Sequence, residues 1–298
     1  MLHLIPTPIG NLGDMTLRAI STLETADVVA AEDTRRTRAL LSHLGIKKPV
    51  VSCYRHNESG REAWLLKELA AGHQVALVSD AGMPGVCDPG SLLAAVAREA
   101  GHDVIVLPGP SAVLLALVYA GFPCDSFTFG GYLPRHRKGR TAALATLALE
   151  TRTAVFFETP HRLRACLADC VATLPGRQLV VAREMTKLHQ EIFRGSATEA
   201  AAHFSGDIKG EIVLVIAGAT PESLASEAEP LDTNQAQAQY RELISRGLHP
   251  KKALKEVAGS FGLTRQEAYR LCRTPEERGD EELEATSDTN SAEAADKI

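Results

Sequence analysis

The chain has 298 residues, of which 45% are hydrophobic and 23% charged, and its formal net charge is −5. These values are typical of a soluble globular protein with two domains. No apolar run has the length of a membrane helix, and no basic stretch precedes an apolar one at the N-terminus, so we expect no signal peptide, no membrane span and a cytoplasmic location.

The six cysteines are scattered, with no C-x-x-C pair and no histidines at zinc-binding spacing. Cys166 and Cys170 lie one helical turn apart. We therefore expect buried, reduced thiols, no disulfide and no bound metal.

The first part of the chain alternates between short β-branched runs and helical patterns. Strands are predicted at 28–31, 50–53, 75–79 and 104–108, and helices at 61–72 and 91–101. Gly72 and Gly101 follow the two helices as C-terminal caps. This alternation predicts a first α/β domain over residues 1–116, with a mostly parallel sheet and helices on both faces.

The strand pattern restarts after the apolar stretch at 111–123. Strands are predicted within 126–131, 153–158, 179–184, 191–195 and 211–218. The third and fourth of these are separated by a short turn, which favours an antiparallel pair. We therefore predict a second α/β domain over residues 122–218 with a mixed sheet, followed by a linker rich in Pro, Ser and Glu at 219–234.

Residues 235–275 predict three short helices, which resemble a helix-turn-helix unit. The first ends at Gly247, the second begins at Pro250, and a capping box of Thr264 and Glu267 opens the third. Residues 235–273 include eight basic and three acidic residues, a charge that favours binding to a nucleic-acid phosphate backbone. The alternative interpretation of these helices is a dimerising helical bundle. Residues 276–298 hold nine acidic and two basic residues, which predicts a disordered acidic tail.

The loops that follow the predicted strands are the candidate site, because ligands of open α/β sheets bind beyond the carboxyl ends of the strands. In the first domain these loops read PTPIGNLGD, EDTRRTR, DAGMPGVCDPG and PGPSA, and in the second FFETPHR and AREMTK. Each loop by itself fits ordinary turn chemistry. Together, their polar residues, glycines and prolines predict a binding site.

The loops lack both the nicotinamide fingerprint G-x-G-x-x-G and the phosphate loop G-x-x-x-x-G-K-[ST]. Their glycines and small residues expose main-chain groups, which suits a compact ligand with an adenine ring and an amino-acid end. The basic segments at 34–38 and 134–140 are each ordinary as solvated surface. Because both basic segments are predicted to lie beside the site loops, together they favour a polyanionic substrate.

Several of these segments resemble the tetrapyrrole (corrin/porphyrin) methylase superfamily. The segments are HLIPTPIGNLGDMTLRA, AEDTRRT, LVSDAGMPGVCDPG, PGPSA, FFETPHRL, REMTKLHQE and GEIVLVIAG. The likeness covers residues 3–218 and, with the basic C-terminal helices, is greatest to the bacterial ribosomal RNA branch, which 2′-O-methylates a cytidine ribose in the decoding region of 16S RNA. It implies two α/β domains with S-adenosylmethionine in the cleft between them, and a homodimer.

The resemblance also implies which residues bind the cofactor. Matched by position, they are Ile9, Asp80, Gly82, Met83, Ser111, Ala112, Phe157, Ala182 and Val213. The porphyrin enzymes tend to carry a G-x-G-x-G pattern where this chain has PTPIG. Because proline cannot donate an N–H bond, we interpret this first loop as a rigid wall, with Asn11 and Asp14 facing the substrate.

Methyl transfer to a ribose requires that the attacking oxygen, the methyl carbon and the sulfur are aligned and that water is excluded. It also requires a group that takes the proton of the ribose hydroxyl. Candidates for that group are Glu32, Asp33, Glu158, His161 and Glu184. The sequence does not choose among them, and Glu158 pairing with Arg162 or Arg183 is the structural alternative. Predicted RNA contacts are Asn11, Arg35, Arg135, Arg137, Lys138, Lys187, Lys251, Lys252, Arg265 and Arg270.

Two other functions are compatible with such a fold. One is methylation of a small porphyrin or corrinoid from the same donor, against which the basic C-terminal helices argue. The other is a ribosome-binding assembly factor without catalysis, against which the intact cleft loops argue.

Overall fold

The computed structural model describes residues 1–54, 59–220, 233–261, 263 and 265–272. It divides the chain into two compact units, Met1–Thr220 and Pro221–Ile298. None of the helices in these ranges has both the length and the apolar character needed to cross a membrane.

The described residues of the first unit form ten strands and eight α-helices. The strands are β1 (Leu2–Ile5), β2 (Val28–Ala31), β3 (Val50–Ser52), β4 (Val75–Val78), β5 (Val104–Val106), β6 (Phe127–Tyr132), β7 (Thr153–Glu158), β8 (Gln178–Arg183), β9 (Glu191–Ser196) and β10 (Ile212–Ile216). The helices are α1 (Leu17–Thr25), α2 (Thr34–His43), α3 (Glu62–Ala70), α4 (Ser91–Glu99), α5 (Ala112–Ala120), α6 (Arg137–Thr146), α7 (Pro160–Thr173) and α8 (Ala197–His203).

The first sheet has the strand order β3-β2-β4-β1-β5, and all its neighbouring strands are parallel. Its strands β2 and β4 are unbroken apolar runs, and β1 is apolar except for the buried His3, because both faces are covered by helices. Leu65 and Leu93 of α3 and α4 are buried against one face, and Leu23 and Leu41 of α1 and α2 against the other. We call β1–β5 with α1–α4 the first lobe.

The second sheet has the order β6-β7-β10-β8-β9, in which β6 and β7 are parallel and every other pair is antiparallel. One face buries α6, α7 and α8. The other face is covered by α5, whose Val113 and Leu117 pack against Val180 and Val215. The second lobe is therefore β6–β10 with α5–α8, and the predicted domain end at residue 116 falls inside α5.

The described part of the second unit contains three helices, α9 (Thr233–Ser245), α10 (Pro250–Ser260) and α11 (Arg265–Cys272). They share a small core that includes Tyr240, Leu254 and Ala268. Gly247, with φ of +83°, follows α9 as its left-handed cap. The predicted capping box at Thr264, most of the linker and the acidic tail at 276–298 lie outside the described residues. The α/β fold class with C-terminal helices is confirmed.

Candidate functional site

A cleft of about 300 Å³ lies between the strand-end loops of the first lobe and the sheet of the second. The first-lobe loops and α5 contribute Ile9, Glu32, Asp80, Ala81, Asp88 and Ala112 to its lining. The second sheet and its turns contribute Tyr132, Phe157, Glu158, Thr159, Pro160, Met185, Gly210, Glu211, Ile212 and Val213. The cleft therefore has apolar walls and several carboxyl groups.

Three loops of the first lobe are locked together at the cleft. The backbone N–H of Thr7 donates to the carbonyl of Gly82 at 3.0 Å, and the N–H of Gly82 donates back to Thr7 at 2.9 Å. Gly82 has φ of +81°, which favours glycine. A Cβ on Gly109 would lie 2.8 Å from Cβ of Pro6, so the loop after β5 is packed equally closely against the first loop.

The first loop also contacts the second lobe. A Cβ on Gly10 would lie 3.0 Å from the carbonyl oxygen of Met185 and 2.9 Å from Oγ1 of Thr186. That turn contains two left-handed residues, Glu184 (φ +50°) and Thr186 (φ +65°). Lys187 holds it by donating to Glu184 at 2.7 Å. The PTPIG segment of the first lobe thus contacts the second lobe.

Glu32 is a half-buried carboxyl group that lines the cleft at the end of β2. Burial raises its pKa, and the nearby charge of Asp80 raises it further. Asp80 is itself held in place, because it accepts from the backbone N–H of Asp33 at 2.9 Å and pairs with Arg36 at 3.5 Å. The Glu32 carboxylate is therefore a stronger base than that of an ordinary glutamate.

Glu158 ends β7, and its side chain is 0% exposed. One oxygen, Oε1, accepts from the backbone N–H of Thr159 at 2.9 Å and lies 3.1 Å from Nε of Arg162. The other oxygen is buried beside the Cys166 thiol. Burial raises the pKa of Glu158. The pairing with Arg162 that the sequence left open is present, so Glu158 is enclosed by protein.

Aromatic rings form part of the second-lobe wall. The ring of Phe157 lies 5.0 Å from that of Phe129 and 5.6 Å from that of Tyr132. Tyr132 is 51% exposed on the cleft side of this group. Burial of its inner part, followed by the charges of Cys87 and Asp88, raises the pKa of its hydroxyl group. The phenol is therefore neutral near pH 7 and can donate a hydrogen bond.

The residues that the resemblance assigned to the cofactor divide into three groups. Five of them line the cleft, namely Ile9, Asp80, Ala112, Phe157 and Val213. Ser111 caps the N-terminus of α5 and lines a neighbouring hollow. Gly82, Met83 and Ala182 are not among the lining residues: Gly82 anchors the first loop, and Ala182 is buried in β8.

Of the five candidate proton acceptors, the two that line the cleft are Glu32 and Glu158. Asp33 caps α2 and pairs with the Arg35 guanidinium at 3.2 Å, and these hydrogen bonds lower its pKa. His161 is exposed in the first turn of α7, outside the cleft lining. Glu184 is bound to Lys187 in the turn that contacts Gly10.

Most of the predicted RNA contacts are exposed. On the first unit these are Asn11, Arg35, Arg135, Arg137 and Lys138, and on the second Lys251, Lys252 and Arg270. The side chain of Arg265 lies outside the described residues. Arg35 and Arg137 each pair with one carboxylate at 3.2 Å, those of Asp33 and Asp169. Lys187 is half-buried and lies within 3.0 Å of two carboxylates, those of Glu184 and Glu211. Its positive charge is therefore largely compensated within the protein.

The sequence did not single out several residues of the cleft, among them Asp88, Tyr132, Met185 and Glu211. Asp88 and Glu211 lie within quoted motifs, at the end of DAGMPGVCDPG and the start of GEIVLVIAG. The sequence therefore identified the segments that form the cleft. Which of their side chains point into it depends on how the two lobes pack together. Among the described residues, no group of three His, Cys, Asp or Glu is placed to hold a metal ion, and the six cysteines are free thiols.

Comparison with known proteins gives matches along most of the chain. The model of the family Tetrapyrrole (Corrin/Porphyrin) Methylases matches residues 1–201. A Synechocystis protein named Ribosomal RNA small subunit methyltransferase I is 45% identical over 273 residues, 91% of this chain and 96% of its own. A Thermotoga maritima protein of the same name is 46% identical over 218 residues, 73% of this chain and 98% of its own.

Solved structures give the same fold at low sequence identity. The methyltransferase CobJ is 21% identical, with a TM-score of 0.56 over 73% of this chain and 94% of its own. A uroporphyrin-III C-methyl transferase from Thermus thermophilus, complexed with S-adenyl homocysteine, is 17% identical, with a TM-score of 0.52 over 72% of this chain and 96% of its own.

Proposed function

Because this chain belongs to the tetrapyrrole (corrin/porphyrin) methylase family, we propose that it methylates ribosomal RNA of the small subunit with S-adenosylmethionine as the methyl donor. The names of its relatives support the RNA substrate. The finer proposal is that the acceptor is the ribose 2′-oxygen of a cytidine in the decoding region of 16S RNA. Such an enzyme works where ribosomes assemble, in the cytoplasm.

The observation that carries this proposal is the cleft between the lobes, with its apolar walls and acidic groups. Ile9, Ala112, Phe157 and Val213 supply apolar surface suited to an adenine ring and a thioether chain. Asp80 supplies negative charge suited to a ligand with a sulfonium and an ammonium group. These residues therefore fit S-adenosylmethionine, which when bound supplies a methyl group already activated by the positive charge on its sulfur.

Glu32 is our proposed acceptor of the ribose hydroxyl proton. Its carboxyl group is half-buried, lines the cleft and has a raised pKa, so it is a stronger base than an ordinary glutamate. The side chain of Glu158 is fully enclosed and paired with Arg162. Asp33 is engaged as the cap of α2.

The basic loop at the start of α6 is our proposed contact for the phosphates next to the target nucleotide. Arg135, Arg137 and Lys138 are exposed there. The loop is held from below by a buried ion pair, since Nη2 of Arg140 lies 2.7 Å from Asp169. Arg140 also donates to the carbonyl of Arg135 at 3.1 Å. We further propose that the exposed Lys251 and Lys252 of α10 bind RNA phosphates.

We also propose that the protein is a homodimer. The outer face of α5 leaves large apolar side chains in contact with solvent: Leu114 is 54% exposed and Val118 75% exposed. Both line a hollow of about 490 Å³ together with Asp14, Thr16 and Thr186. Leu17, which follows Thr16, is 85% exposed, and Leu188, two residues after Thr186, is 92% exposed. An apolar surface of this kind is typical of a protein–protein interface.

A transfer assay tests the proposal directly. The full chain is incubated with S-adenosylmethionine carrying a labelled methyl group and, in parallel, with unmethylated small ribosomal subunits, 16S RNA free of protein, and uroporphyrinogen. We expect label in ribosomal RNA, recovered as 2′-O-methylcytidine after digestion to nucleosides. Label in uroporphyrinogen alone would favour a porphyrin enzyme. No transfer, and no binding heat with S-adenosylmethionine in calorimetry, would favour the non-catalytic assembly factor.

A further inference from the structure

A hollow on the first lobe carries positive charge that the proposed site does not use. It has a volume of about 510 Å³ and lies where α2 ends and the chain turns towards β3. Its lining residues are Arg38, Leu41, Ser42, Gly45, Ile46, Lys47, Lys48 and Pro49. Three of these are cations and none is acidic, so the hollow attracts anions.

The charges of this hollow are free to act on a ligand. Arg35 pairs with Asp33 and Arg36 pairs with Asp80, at the first turn of α2. Within the described part of the chain, by contrast, Arg38, Lys47 and Lys48 lie within 4.0 Å of no carboxylate. Arg38 donates to Oγ1 of Thr34 at 3.2 Å, which fixes its guanidinium on the outer face of the helix.

The hollow is connected to the cleft by one face of α2. Arg35 and Arg38 are three residues apart and Ser42 follows four residues later, so they share a face. Arg35 to Ser42 spans about 10 Å along the helix axis. Gly45, with φ of +73°, then reverses the chain and brings Lys47 and Lys48 to the same hollow. Exposed basic groups therefore follow α2 from its first turn, where Arg35 pairs with Asp33, to the hollow at its other end.

We propose that Arg38, Lys47 and Lys48 form a second binding surface for RNA phosphates, here called the α2 track. It rests on the proposed function and extends it, since it would hold the strand that flanks the target nucleotide. None of the described residues that line the hollow is aromatic, so they offer the bases no stacking platform. The α2 track therefore binds the sugar-phosphate backbone without reading the base sequence.

The test replaces the three cations in the full-length protein, as Arg38→Gln, Lys47→Gln and Lys48→Gln together. The matched control is Arg61→Gln, Lys67→Gln and Arg98→Gln, three cations on or beside α3 and α4, which cover the other face of the first sheet. Affinity for protein-free 16S RNA and for small ribosomal subunits is measured over a range of potassium chloride concentrations. Calorimetry with S-adenosylmethionine checks that both variants retain the cleft.

We expect the α2-track variant to bind both RNA samples about tenfold more weakly, and its slope of log affinity against log salt to fall by about two to three. The control should keep the affinity and slope of the unaltered protein. Equal behaviour of the two variants, or weaker binding with an unchanged slope, would overturn the α2 track. Loss confined to small subunits would also overturn it, in favour of a ribosomal protein partner. If the unaltered protein itself binds and methylates no RNA, it is the proposed function that fails.

Discussion

Two neighbouring carboxyl groups, Glu32 and Asp33, have different surroundings although both lie in the two-residue link between β2 and α2. Asp33 is the N-cap of α2, and its side chain accepts from the backbone N–H of Arg35 at 2.8 Å. Glu32 lines the cleft instead, and its pKa is raised by burial and by Asp80. The sequence named both as candidates. It could not choose between them because Asp80 comes from a different loop.

Glu32→Gln removes the proposed proton acceptor at nearly constant volume. We expect kcat to fall by about 100-fold to 10,000-fold, while the affinity for S-adenosylmethionine changes much less. The measurement is single-turnover methyl transfer to small subunits. Asp33→Asn is the matched control, since asparagine also caps helices, and it should lose far less activity. Equal losses in the two variants would show that Glu32 has no special role.

The raised pKa of Glu32 also predicts how the rate depends on pH. The carboxylate must be ionised to accept a proton, so kcat/KM should rise with pH through a pKa above the ordinary value for glutamate and then level off. In Glu32→Gln this rise should be absent. The same rise in the variant would assign the titration to another group.

At the scale of elements, the first loop is held by its fit against the turn of the second lobe. Gly10 has no room for a side chain, because a Cβ there would meet the backbone oxygen of Met185 at 3.0 Å. Gly206 offers a contrast: it is in the same unit, and a Cβ added to it would meet nothing within 4 Å. Comparing alanine substitutions at Gly10 and Gly206 therefore separates the effect of packing from that of reduced backbone freedom.

Gly10→Ala should lower the free energy of unfolding by about 1–3 kcal/mol, because either the first loop or the Met185 turn must shift. The affinity for S-adenosylmethionine should fall as well, since Ile9 lies next to the substitution and lines the cleft. Thermal unfolding and calorimetry measure the two effects. Gly206→Ala should leave both nearly unchanged, and an equally neutral Gly10→Ala would contradict the close contact between the lobes.

The ion pair between Arg140 and Asp169 connects α6 to α7 beneath the basic loop. Both side chains are almost fully buried, at 6% and 5% exposure. Asp169→Asn leaves a buried guanidinium without a compensating charge, so we expect the free energy of unfolding to fall by about 3–5 kcal/mol. Replacing both residues by leucine should recover part of this loss. Urea unfolding measures it, with Lys209→Gln of the exposed Lys209–Asp207 pair as the control.

The elements themselves were largely predictable, and their assembly was not. Buried β-branched runs such as Val75–Val78 and Thr153–Glu158 lie within a residue or so of their predicted positions, because local pattern sets them. Helix α5 is apolar on nearly every side, so its pattern does not indicate which sheet it covers. It packs on the second sheet, and that choice depends on tertiary contacts. For the same reason the motifs located the cleft, but not which of their side chains line it.

At the scale of the whole molecule, the exposed apolar surface of α5 supports the proposed homodimer. Val118→Glu places a charge on that surface. In light scattering we expect the unaltered protein to have the mass of two chains and the variant the mass of one. Leu149→Glu is the control, because Leu149 is 72% exposed but outside α5. A Val118→Glu variant that remains dimeric would exclude α5 from the interface.

The account as a whole depends on transfer of a methyl group to one ribose of 16S RNA. Mass spectrometric mapping of 16S RNA from cells with and without this gene tests it most directly. We predict that deletion removes one 2′-O-methylcytidine from the decoding region, and that the unaltered gene restores it while Glu32→Gln does not. An unchanged methylation map, or loss of a methyl group from a base instead of a ribose, would contradict the account.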